Sequence, residues 1–98
     1  MERGGFTYII TNKNNTVLYV GVTSNLKDRV YQHQTKHFKN SFTAKYNVDK
    51  LVYFESFFNI EEAIAREKQL KAGSRQKKID LINAFNPDWE DLFDKLET

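Results

Sequence analysis

The sequence predicts an α+β domain, a small three-stranded sheet, antiparallel or mixed, flanked by helices. Three observations carry that expectation. Two short runs rich in β-branched and aromatic residues, Thr7-Tyr8-Ile9-Ile10 and Val17-Leu18-Tyr19-Val20, flank Asn12-Lys13-Asn14-Asn15, residues that tolerate tight turns. A third run, Leu51-Val52-Tyr53-Phe54, is short and almost continuously apolar, as a central strand covered on both faces would be. Between and beyond these runs lie stretches with helix-capping residues and Gly or Pro stops.

Taken in order, Gly4-Gly5 ends a short flexible lead. A hairpin turn centred on Lys13-Asn14 would set Asn12 opposite Asn15, Ile10 opposite Val17 and Tyr8 opposite Tyr19, with the two phenols side by side. Thr23 or Ser24 would then cap a helix from about Asn25 to Gln34. Leu26, Val30 and His33 mark its inner face, and Arg29 and His33, four apart, are neighbours on one side. Thr35 to Asn47 interleaves Lys36, Lys39 and Lys45 with His37, Phe38, Phe42 and Tyr46, the mixture that pairs phosphates and stacks bases. Phe42 and Tyr46 are expected to pin this loop or short helix to the core, leaving the lysines as candidates for DNA contact.

After the third run, Asn59 caps a helix over Ile60 to Lys71, Gly73 stops it, and Ser74 caps the next, from Arg75 to Phe85. The second of these would bury Ile79, Leu81 or Ile82, and Phe85. Asn86-Pro87 ends it, because proline disfavours helical geometry in the preceding residue. Asp88 to Phe93 opens an acidic helix whose Trp89, Leu92, Phe93 and Leu96 pack back on the domain. On the helix over 60–71, Ile60, Ala63, Ile64 and Leu70 form the apolar stripe, and the residue continuing it is Glu67. A carboxylate there is costly unless it is paired or binds a metal. A buried pair with Arg29 or another cation and a metal ligand facing the two tyrosines are both open. Oxygen ligation suits Mg²⁺.

The 98 residues make one domain over 1–98. With no cysteine, disulfides and Cys-based zinc sites are excluded. No signal peptide and no apolar run of membrane-spanning length occurs, so a cytoplasmic protein without membrane contact is expected. Charge is uneven: residues 1–79 hold fourteen Lys/Arg against seven Asp/Glu, a net of +7, and residues 80–98 one Lys against six acids, a net of −5. A basic body with an acidic tail is compatible with a polyanion-binding face. Lys68, Lys71, Arg75, Lys77 and Lys78, beside Arg66, form its densest basic run and could track a DNA backbone.

Tyr8 in Phe6-Thr7-Tyr8, then Tyr19-Val20-Gly21, then Arg29 and His33, with Arg66-Glu67 and Asn86-Pro87-Asp88-Trp89 further on, form a spaced set. That set resembles the GIY-YIG nucleases, in their small single-domain bacterial branch, related to the N-terminal nuclease domain of the excision-repair endonuclease. The resemblance implies an endonuclease that hydrolyses DNA phosphodiesters with one Mg²⁺ or Mn²⁺, acting on branched or single-stranded DNA in repair or recombination. It implies that Tyr8 and Tyr19 orient or deprotonate the attacking water and that Arg29 grips the scissile phosphate. Glu67 would hold the metal, His33 would assist proton transfer or phosphate positioning, and Asn86 would be a late polar site residue. Metal, Arg29 and basic neighbours would favour a phenolate, since an ordinary tyrosine near pKa ~10 is a poor base at neutral pH. Phe6 stands where the first motif's glycine would be, and Val22 where excision-repair members carry lysine. The alternative is a non-catalytic or weakly catalytic nucleic-acid-binding module of the same fold.

Overall fold

The computed structural model describes residues 4–96. Most of the predicted lead, Met1 to Arg3, lies outside the described residues. Three strands, β1 (Gly5–Thr11), β2 (Leu18–Thr23) and β3 (Lys50–Phe57), form one sheet in the order β2-β1-β3. Both pairings are antiparallel. Helices α1 (Leu26–Gln34) and α2 (Phe42–Lys45) lie between β2 and β3; α3 (Ile60–Ala72) and α4 (Arg75–Phe85) follow β3.

The central strand is β1 rather than the continuously apolar third run. A bulge explains the composition of β3: Ile9 opposes Tyr53 and Ile10 opposes Leu51, so Val52 is an extra residue. Leu51 therefore joins one face of the sheet while Val52 and Tyr53 both join the other. An edge strand is thus apolar on both sides without being central.

The hairpin register also differs from the expected one. Tyr8 pairs with Gly21 and Ile10 with Tyr19, two residues away from a Tyr8–Tyr19 pairing. The turn is longer because Asn12 organises it. Its Oδ1 accepts from the backbone N–H of Thr16 at 2.8 Å and of Val17 at 3.0 Å, and its Nδ2 donates to Thr16 Oγ1 at 2.7 Å. Asn15 takes the left-handed conformation, φ 59°, which asparagine tolerates better than most residues. A shift of two keeps both tyrosines on the same face.

That face carries Tyr8, Ile10, Leu26, Val30, Val48, Leu51 and Leu92, with Tyr19 packed at the side, and α1 covers it. The opposite face carries Ile9, Val20, Val52, Tyr53, Leu70 and Ile82 beneath α3 and α4. Thr7 Oγ1 fixes α3 there by donating to the Ala63 carbonyl at 2.7 Å.

The N-cap of α1 is Asn25, whose Oδ1 accepts from Asp28 N–H at 3.1 Å, rather than Thr23 or Ser24. Thr23 instead buttresses the cap, its Oγ1 accepting from Asn25 N–H at 3.1 Å. Asn59 and Ser74 cap α3 and α4 as expected. Phe85 stays 48% exposed, setting its ring edge-on to Tyr53 and Phe54 rather than entering the core. Asp88 to Leu92 is not helical. Trp89 sits at φ 52° with its indole N–H on Asn83 Oδ1 at 2.7 Å, and among the described residues of the segment a single 3₁₀ turn forms, Phe93–Lys95.

Candidate active site

The site grows from the step where β1 meets β2. Gly21 faces Tyr8 across the ladder, and a Cβ at Gly21 would collide with the Cζ and hydroxyl of the Tyr8 ring. Glycine is required there because the phenol lies flat over the strand. This settles the ring into the core, where Tyr8 is 1% exposed, and aims its hydroxyl at α1.

The Tyr8 hydroxyl lies 2.9 Å from His33 Nε2, and His33 Nδ1 lies 3.1 Å from Thr43 Oγ1. Thr43 Oγ1 is in turn 3.2 Å from Ser41 Oγ, which accepts the Ala44 N–H as the N-cap of α2. Four polar groups thus form a chain leading from the sheet to the surface. Tyr19 closes the other side, its ring centroid 5.9 Å from that of His33 in an edge-on contact.

Burial sets the protonation states. It holds the Tyr8 phenol well above its ordinary pKa of 10; Tyr19 and Glu67 push the same way, and the charge and hydrogen bonding of Arg29 oppose them. The protein's own groups therefore keep Tyr8 a neutral phenol, and the expected phenolate depends on a bound metal. His33 is pushed down to about 4, first by burial and then by the Arg29 charge, so its imidazole is neutral near pH 7. A neutral phenol beside a neutral imidazole allows one assignment that satisfies all partners. Tyr8 O–H donates to Nε2, Nδ1–H donates to Thr43, and Thr43 O–H donates to Ser41.

The charges of Tyr19, Arg29 and Glu67 all reach the Tyr8 phenol, so four of the six expected catalytic residues share one neighbourhood, and His33 is bonded to it. Glu67 is not paired with Arg29. Its largely buried side chain, 14% exposed, holds Lys71 Nζ at 2.7 Å, and that ammonium lies 5.9 Å from the Tyr19 ring centroid. Asn86 stands apart. It is buried, its Nδ2 donates to the Val52 and Glu90 carbonyls at 3.2 and 2.8 Å, and its Oδ1 accepts Glu90 N–H at 3.2 Å. Instead of joining the expected site residues, Asn86 ties the end of α4 to β3.

Among the described residues no three His, Cys, Asp or Glu side chains gather as a metal cage. One hard carboxylate that already binds a cation at 2.7 Å fits an ion such as Mg²⁺, which takes one or two carboxylates and leaves its other positions to waters and substrate oxygens.

The basic residues divide. Lys36, Lys39, Lys45, Lys68, Lys71, Arg75 and Lys77 are exposed. Lys36 Nζ bonds Asn47 Oδ1, and Arg75 donates to the Thr16 carbonyl at 2.9 Å, holding the hairpin turn on α4. Lys78 is partly buried, its Nζ donating to the Gly73 carbonyl at 2.9 Å. Arg66 bonds Glu55 at 2.8 Å, and Glu55 also accepts from the Tyr53 hydroxyl at 2.6 Å. A groove of about 400 Å³ between α3 and α4, lined by Arg66, Leu70, Lys77 and Leu81 among others, lies on the opposite face and includes none of the cluster residues.

The Thr43 and Ser41 links carry no sequence signature as site residues. Ser41 ahead of Phe42-Thr43-Ala44 is readable as a helix cap, but a bond to His33 ten positions earlier is not. Phe42 and Tyr46 do not pin α2 to the core. Buried Thr43 and Ala44 do, and the two aromatics stay 49% and 46% exposed.

Residues 4–80 match the GIY-YIG catalytic domain. The chain is 39% identical over 83 residues to a UPF0213 protein of Clostridium perfringens, covering 81% of this chain and 83% of that one. It is 38% identical over 78 residues to a UPF0213 protein of Staphylococcus haemolyticus, covering 79% and 92% respectively. The solution structure of a UPF0213 protein from Bacillus halodurans superposes with a TM-score of 0.56 at 28% identity, over 96% of this chain and 97% of that one. With two tyrosines on the sheet, an arginine on α1 and a glutamate on α3, the chain belongs to the GIY-YIG family and stands among the small bacterial UPF0213 proteins.

Proposed function

We propose that this nuclease-like module is a divalent-metal-dependent endonuclease that hydrolyses DNA phosphodiesters. The observation that carries the reading is the buried Tyr8–His33–Thr43 chain beside Arg29 and Glu67. Hydrolysis needs a group that orients water and takes its proton, and charge that meets the developing phosphorane. The Tyr8 hydroxyl, held on His33 Nε2 while Thr43 holds Nδ1–H, orients the attacking water, and the water proton leaves to a non-bridging phosphate oxygen, because burial and Arg29 make His33 a weak proton acceptor. Arg29 grips a non-bridging phosphate oxygen, its fork matching phosphate geometry. Tyr19 walls the site and presents a second hydroxyl on the same face. Glu67 would hold the metal, exchanging Lys71 for it, and the ion supplies Lewis-acid charge to the phosphate. Asn86 has no part in this scheme.

The test is nicking of branched, flapped and single-stranded DNA with Mg²⁺ or Mn²⁺, by the wild type and by Glu67→Ala. Metal-dependent cleavage by the wild type, reduced at least about 100-fold in the variant, is expected from loss of an electrostatic stabiliser. Equal cleavage by both proteins would remove Glu67 from the site. The Lys71–Glu67 contact favours a second reading, a binding module whose carboxylate is already neutralised. DNA binding without cleavage by either protein would select it.

A further inference from the structure

We infer that Phe42 and Tyr46 form a stacking subsite for an unpaired nucleobase beside the scissile phosphate. The inference rests on the nuclease reading for its register, but its recognition chemistry stands on separate residues.

α2 is built to present these rings. Ser41 caps it, Thr43 and Ala44 turn inward, and the pattern leaves Phe42, Lys45 and Tyr46 outward. The Phe42 ring stacks on Tyr19, centroids 6.5 Å apart and planes 25° apart. Tyr46 continues from Phe42 with centroids at 4.9 Å, and Lys45 Nζ lies 5.5 Å from the Tyr46 ring centre. An aromatic ladder therefore runs from a tyrosine of the candidate active site out to solvent. Thr43, the residue that anchors α2, is the one bonded to His33, so the platform is rigidly indexed to that site.

Charge and shape select the occupant. Lys39 and Lys45 are exposed on the same segment, and Lys36, also exposed, is steadied by Asn47, so an anionic backbone is accommodated next to flat apolar faces. Base–aromatic stacking beside basic residues is the recognition mode of single-stranded nucleic acid. In a duplex both faces of an internal base are covered by its neighbours, leaving none for Phe42. The occupant is thus a strand with an unstacked base, as at a single-stranded segment, flap or frayed end.

The experiment measures binding, in EDTA, of a fluorescent single-stranded oligodeoxynucleotide and the corresponding blunt duplex. The proteins are the wild type, Phe42→Ala, Tyr46→Ala and Phe42→Trp, each checked by circular dichroism and thermal melting. The wild type should prefer the single strand. Each alanine variant should weaken single-strand binding about five- to a hundredfold and duplex binding far less, with Phe42→Trp retaining it. A 2-aminopurine in the bound strand should be quenched by the wild type and not by Phe42→Ala. Wild-type affinity in the folded alanine variants, or no preference for single strands by the wild type, overturns the subsite. Single-strand binding through Phe42 without metal-dependent cleavage would keep the subsite and discard the nuclease reading. Metal-dependent cleavage undiminished in Phe42→Ala would do the reverse.

Discussion

Thr43 has one γ-oxygen and two tasks, receiving His33 Nδ1 at 3.1 Å and meeting Ser41 Oγ at 3.2 Å. Because the imidazole is neutral, only one ring nitrogen carries a proton; the buried Tyr8 O–H needs Nε2 as its acceptor, which leaves the proton on Nδ1, and Thr43 receives it there. Replacing it by valine keeps the shape but leaves Nδ1–H buried without an acceptor, at a cost of ~1–3 kcal/mol. The ring can avoid that cost by moving its proton to Nε2, which then no longer accepts from Tyr8. Thr43→Val should therefore slow cleavage about tenfold or more while DNA affinity holds, and Thr43→Ser should restore it. Nitrogen NMR of His33 should report the Nε2–H form in Thr43→Val. An unchanged tautomer and an unchanged rate would make Thr43 merely a packing residue. Gly21 acts at the same scale by steric means, since any side chain there displaces the Tyr8 ring from its hydrogen bond.

The hairpin of β1 and β2 is legible in the sequence in all but its register. The two runs, their pairing and the shared face of Tyr8 and Tyr19 were legible, because β-branched alternation and a polar turn specify them. The register was not, since it depends on one side chain, Asn12, gathering Thr16 and Val17 N–H groups and stretching the turn by two residues. Glu67 stood out because a carboxylate in an apolar stripe has no bland location. Its partner, Lys71, was hidden among several basic residues of similar spacing. Thr43 and Val52 were illegible for a common reason: a long-range bond and a bulge are set by packing across the sheet, not by local propensity. The Asn12 account is itself testable. Asn12→Ala loses the turn bonds of a half-exposed residue and should lower stability by about 1–2 kcal/mol, with an unchanged denaturant slope. For a domain of this size that is a fall in Tm of roughly 4–16 °C. A melting temperature equal to that of the wild type would show that the strands alone fix the register.

Two buried titratable groups at the junction of sheet and α1 bound the pH range over which the molecule as a whole is stable. His33 is about 4 when folded against an ordinary 6.5, so between these values the unfolded chain binds a proton that the native state refuses. Stability then rises with pH across that interval and is lost as pH falls from about 6.5 towards 4. Tyr8 works at the other end. Its folded pKa lies above the ordinary 10, so the unfolded chain ionises first and stability is lost as pH rises past 10. Tyr53, pushed up to about 12 mainly by burial and then by its Glu55 bond, adds to the alkaline slope. A plateau in Tm between about pH 6.5 and 10 is expected, falling on both sides. His33→Gln keeps a polar side chain of similar reach but cannot take a proton, so it should flatten the acid limb, while Tyr8→Phe should flatten the alkaline one. The two groups touch at 2.9 Å, so Tyr8→Phe also removes the donor to His33 Nε2 and should shift the acid limb as well. Melting curves of the three proteins from about pH 4 to 11 read both limbs at once. An acid limb of wild-type steepness in His33→Gln would assign it to the carboxylates and take His33 out of the linkage.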